Sequence, residues 1–163
     1  GVIKRCYSGP VNDLIPPDKR GHGIISPNFC DDPAGKQAGA NSSAVPAEGL
    51  SRFIAWALDN HPAERYVLIT FGHGGAVAGQ TFLARNNPDS FLTLPQFGKI
   101  LARYFGRKKG KPQLDILACD NCVMNGLETA FEIRNQVDYM LGSQVLMLAA
   151  GWPVHKITKQ RVV

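Results

Sequence analysis

The 163-residue chain carries 18 Lys and Arg against 13 Asp and Glu, for a formal net charge of +5, with 44% apolar and 19% charged residues. That length fits one domain, residues 1–163, with a single core, and the composition excludes a disordered or fibrous chain. No apolar run approaches the roughly 18 residues that a membrane-spanning helix needs, and Gly1-Val2-Ile3-Lys4 lacks a signal-peptide layout, so a soluble chain, open to earlier processing, is expected, with no membrane partner.

In chain order, residues 2–7 alternate weakly as a strand does, and residues 8–47 are rich in Gly, Pro, Asn, Ser and Asp. His22 falls in this loop. Between Pro46 and Asn60, Leu50, Phe53, Ile54, Ala57 and Leu58 recur at helical spacing, with Pro62 closing the pattern and His61 placed to cap the last turn. Residues 66–71 form a near-continuous apolar run, as in a parallel strand covered on both faces, and stop at Gly72-His73-Gly74-Gly75.

Leu94, Phe97, Ile100, Leu101, Tyr104 and Phe105 mark a second helix, with Thr93 as N-cap and Pro95 in the first turn. The basic run Arg107-Lys108-Lys109-Gly110-Lys111 has no interleaved aromatic. It reads as a solvated helix-to-strand connection, not a nucleic-acid patch. Residues 114–118 form a second buried strand that runs into Cys119-Asp120-Asn121-Cys122. A third helix is expected near 126–136, with Val137 on its buried face, and a further strand at 139–143. Strand and helix alternate, so a mostly parallel β-sheet flanked by α-helices in three α/β/α layers is expected.

Two strand ends carry reactive residues. Loops at the carboxyl ends of parallel strands converge on one edge, so His73 and Cys122 can meet there as base and nucleophile. A helix starting just after Cys122 would favour its thiolate. Gly74 allows a close backbone approach, and its amide with that of Cys122 can serve a developing oxyanion. The separation, 122 − 73 = 49, agrees with the spacing of about 50 given for caspases.

Phe71-Gly72-His73-Gly74-Gly75 and Asp120-Asn121-Cys122-Val123-Met124, with Glu128 and Glu132 downstream, resemble the two signature motifs of the clostripain family of cysteine peptidases. The resemblance runs from Leu50 to Pro153, taking in Tyr139-Met140-Leu141-Gly142-Ser143 and Gly151-Trp152-Pro153. It implies a caspase-like fold and cleavage after Arg or Lys through His73 and Cys122. Asp120 would lie at the floor of the specificity pocket, where a carboxylate pairs with a guanidinium. Ser143 would line the same pocket. The resemblance also implies a peptide or protein substrate with a basic P1 residue, calcium as a possible requirement although no calcium loop is recognisable, and a secreted or periplasmic setting.

Departures from the family pattern are visible too. The family's first strand and helix are missing ahead of residue 50, so a truncated or processed chain, a second processed chain or pairing through a sheet edge is expected. Residues 145–150 are wholly apolar where relatives tend to place polar or acidic residues. Three rival readings remain open. Asp120 could be a helix N-cap, Cys119-x-x-Cys122 matches a thiol-disulfide redox spacing, and the chain could be a non-catalytic peptide-binding or assembly fragment. The redox states of Cys6, Cys30 and Cys119 are open. Cys6 and Cys30 do not have paired zinc-ligand spacing.

Overall fold

The computed structural model describes residues 6–7, 24–25, 46–75, 80–84, 87–147 and 151–153. His22, Cys30 and most of the 8–47 segment lie outside the described residues. Strands β1 (Cys6–Tyr7) and β2 (Ile24–Ile25) pair in parallel. Helix α1 spans Pro46–Asn60 and β3 spans Tyr66–Gly72, where the apolar spacing and run place them. Strands β4 (Gln80–Ala84) and β5 (Asn87–Thr93) then form an antiparallel pair that the sequence pattern does not announce. Helix α2 (Leu94–Tyr104), β6 (Leu114–Asn121), α3 (Leu127–Ile133) and β7 (Val137–Gly142) complete the order.

The site-bearing sheet has the order β3-β6-β7, and both pairings are parallel. Its strand starts are tied together by side chains. Asp115 accepts from the Tyr66 amide at 2.9 Å and from Arg65 Nη1 at 3.0 Å, fixing the entry of β3 against β6. Register then follows residue by residue. Val67, Ile116 and Tyr139 lie abreast, Leu68, Leu117 and Met140 come next, and Ile69, Ala118 and Leu141 follow.

Because side chains alternate across a strand, these rows belong alternately to the two faces. Leu68, Leu117 and Cys119 face one core together with Ile54 of α1, Phe97 and Leu101 of α2, and Ile133 of α3. Phe97, Leu101 and Leu117 are wholly buried. Each such side chain contributes roughly 1.5–3 kcal/mol by leaving water. The opposite face presents Val67, Ile69, Phe71, Tyr139 and Leu141 to solvent. Among the described residues, the helices thus supply the layer on one side of the sheet.

Local chemistry accounts for the helix limits. Thr93 caps α2 with a capping box, its hydroxyl accepting from the Gln96 amide while Gln96 Oε1 accepts from the Thr93 amide at 2.9 Å. At the other end, Lys111 Nζ donates to the Ala102 carbonyl at 2.5 Å. The basic run therefore acts as a solvated C-terminal cap, as its composition indicated. Helix α3 is shorter than the apolar spacing predicts. Val137, expected on its buried face, is the first residue of β7, because the chain turns at residues 134–136. His61 continues α1 through its amide to the Ala57 carbonyl, and its ring meets Trp56 edge-on.

Candidate active site

The sheet order decides which residues can meet. His73 follows β3 and Cys122 follows β6, and these two strands are hydrogen-bonded neighbours up to the pair Gly72 and Asn121. Both residues therefore leave the same carboxyl edge one step beyond a shared register. His73 is exposed and Cys122 is half-buried.

Contact between the two loops is made by Gly74. A Cβ built there would stand 2.6 Å from the Cys122 carbonyl oxygen, 2.9 Å from Asn121 Cβ and 2.9 Å from Met124 Cγ. Backbone cannot move aside as a flexible side chain can, so glycine is what lets the His73 loop close on the Cys122 turn.

Further contacts secure this edge, one of them from Thr70, which lies outside the two motifs. Thr70 donates its hydroxyl to Asn121 Oδ1 at 2.7 Å, crossing from β3 to β6, while the Asn121 Nδ2 is buried without a partner among the described residues. The signal in the sequence is slight: one threonine in an apolar strand, two residues before Gly72. Val123, just past Cys122, has a left-handed φ of 47°, which is costly for a β-branched residue. Its amide donates to the Val145 carbonyl at 3.1 Å.

The Cys122 sulfur meets the segment after β7. The Met147 amide donates to Sγ at 3.3 Å. Ser143, at the head of that segment, uses its hydroxyl locally with the backbone of Val145, accepting from the amide at 3.2 Å and donating to the carbonyl at 3.0 Å.

Asp120 is the last buried carboxylate before the turn, only 4% exposed. Its Oδ2 accepts from the Trp152 amide at 2.6 Å, and its Oδ1 is buried with no partner among the described residues. Gly151, with φ of +62°, makes that approach possible, since a Cβ there would meet the Phe71 ring at 2.5 Å and Asp120 Oδ2 at 2.7 Å. Asp120 lies within β6, and α3 begins seven residues later with Gly126 at its N-cap, so Asp120 is not a helix cap. For the same reason no helix starts directly at Cys122. The turn over residues 122–126 intervenes.

Cys119 is wholly buried on the inner face of β6, and burial pushes its thiol up to about 11, against a smaller opposing effect of the Thr70 hydrogen bond. A thiol held protonated in the core is a poor half of an exchanging dithiol. Both Cys119 and Cys122 are free. Among the described residues no three His, Cys, Asp or Glu side chains gather as a metal seat.

Comparison with known proteins agrees with the motifs. Over 121 residues the chain is 27% identical to clostripain of Hathewaya histolytica, a stretch covering 68% of this chain and 23% of that protein. In fold it resembles a secreted C11 cysteine protease of Bacteroides thetaiotaomicron solved with an irreversible peptide inhibitor, with a TM-score of 0.57 and 22% identity over 68% of this chain and 30% of that one. It also resembles an inactive zymogen C11 protease of Parabacteroides distasonis, with a TM-score of 0.53 and 24% identity over 71% and 31%. The chain therefore spans about a quarter to a third of the length of these relatives. The model of the clostripain family matches residues 31–162, and the chain belongs to that family.

Proposed function

We propose that this chain is the catalytic part of a cysteine endopeptidase that cleaves peptide bonds after Arg or Lys. The observation that carries this reading is the closure of the His73 loop on the Cys122 turn at Gly74. In the proposed reaction the Cys122 thiolate attacks the P1 carbonyl, with the thiol proton held by His73. The Gly74 and Cys122 amides receive the oxyanion, His73 protonates the departing amine, and water then hydrolyses the acyl-enzyme.

Basic selectivity is assigned to Asp120. Its free Oδ1 is a buried acceptor awaiting a donor, and a guanidinium or ammonium would satisfy it by a charge-assisted bond. Ser143 borders the same edge, with its hydroxyl already engaged by Val145. Location outside the cytoplasm, and pairing with a further chain through the β3 or β7 edge, belong to the same proposal.

The test is hydrolysis of fluorogenic peptides with Arg, Lys or Asp at P1 by wild-type, Cys122→Ala and Asp120→Asn proteins. Arg and Lys substrates should be cut, Cys122→Ala should reduce turnover by about 10³-fold or more, and Asp120→Asn should lower kcat/KM for basic P1 by about 10²-fold. Turnover that survives Cys122→Ala, or a preference for Asp at P1, would overturn the reading.

A further inference from the structure

The segment that follows β7 is unusual in its division of labour. Three of its backbone groups are engaged at the site: the Asn125 amide donates to the Ser143 carbonyl at 3.0 Å, the Val123 amide to the Val145 carbonyl at 3.1 Å, and the Met147 amide to Cys122 Sγ at 3.3 Å. The side chains of Val145 and Leu146, by contrast, are left to solvent. Val145 is 67% and Leu146 81% exposed. From Ser143 to Met147 the strap carries no charge. Single exposed aliphatic residues are ordinary on a protein surface. Two in succession, on a strap whose own amide touches the candidate nucleophile, form a fixed apolar rim beside the scissile bond.

Sheet order tells which side of the substrate this rim serves. The strands run β3-β6-β7, so the Cys122 turn lies between the His73 loop on one flank and the strap on the other. His73 must stand on the side of the departing amine in order to protonate it. The acyl half of the substrate therefore lies toward the strap. Asp120 takes the P1 cation, leaving the side chain before P1 as the first one free to meet Val145 and Leu146.

We infer that Val145 and Leu146 form a subsite that selects an aliphatic residue immediately before the basic P1 residue, so that the substrate class is an aliphatic-basic dipeptide step. This rests on the peptidase reading of Cys122 and His73. Water is the competitor: an aliphatic side chain and the rim both leave it on binding, whereas Ser or Asp at that position loses hydration with no acceptor or donor offered in return. The preference should reach about tenfold or more in kcat/KM for Leu-Arg over Ser-Arg peptides, the scale on which apolar pockets discriminate.

Matched Leu-Arg and Ser-Arg fluorogenic peptides test this with wild-type protein and with a Val145→Ser/Leu146→Ser double variant, whose positions are exposed enough to change without unfolding the chain. A second arm measures binding of the same peptides to Cys122→Ala protein by fluorescence anisotropy. The expected result is a Leu-Arg preference in both arms that collapses toward one in the double variant. Cleavage with a preference that the double variant leaves unchanged would overturn the subsite and leave the peptidase reading intact. Absence of cleavage with a rim-dependent binding preference would remove the peptidase reading and retain the subsite. Neither cleavage nor binding by the folded protein would remove both.

Discussion

Two residues separate Cys119 from Cys122, and the end of one strand separates their chemistry. Cys119 points into the core from β6, while Cys122 stands in the turn beyond it. The raised thiol of Cys119 has a consequence for stability. An unfolded chain releases this proton above pH 9.0, whereas the folded chain keeps it to about 11. The folded state then binds more protons than the unfolded one across that window, so its stability is complete below pH 9.0 and falls as the pH rises toward 11. By pH 10.5 the loss should be about 2 kcal/mol at 1.36 kcal/mol per unit. Urea midpoints of wild-type and Cys119→Ala proteins at pH 8 and 10.5 isolate it. The wild type should lose about 2 kcal/mol more than the variant over that interval, and equal losses would mean that water reaches the sulfur.

At the scale of elements, α2 shows how directly a short code is read. Thr93, Pro95 and Gln96 supply an N-cap, a fixed first turn and the return bond of a capping box, so the helix begins where the residues say it must. Thr93→Ala should cost about 1 kcal/mol and lower the thermal midpoint by a few degrees, whereas Thr93→Ser should retain most of the stability. Calorimetry of both variants checks this. The helix α1 and strands β3 and β6 were equally legible, because their apolar periods are long and uninterrupted. The β4 and β5 pair was not, since Asn87-Pro88-Asp89-Ser90 has the composition of a loop, and of these four only Asn87 is in register with a residue of β4. At the site, His73, Gly74, Asp120 and Cys122 stand out as residues, but the Thr70 to Asn121 bond and the Met147 amide on Cys122 depend on register and on backbone, which side-chain patterns do not encode.

For the whole molecule, the sheet is the feature with the widest reach. One face is sealed by α1, α2 and α3, while Val67, Ile69, Phe71, Tyr139 and Leu141 lie open on the other. Parallel sheets ordinarily have both faces covered. A flat apolar surface of this kind governs colloidal behaviour more than it governs folding: it should take up the dye ANS in the folded state and drive precipitation at low ammonium sulfate, since excluded salts strengthen apolar contact. Replacing Val67 and Ile69 by Thr keeps β-branched residues in the strand while wetting that surface. The double variant should bind less dye and stay in solution at higher sulfate, with its thermal midpoint little changed, and unchanged dye uptake would place the adhesive patch elsewhere. The sheet that aligns His73 with Cys122 would thus also set how concentrated a solution of the chain can become before its molecules adhere.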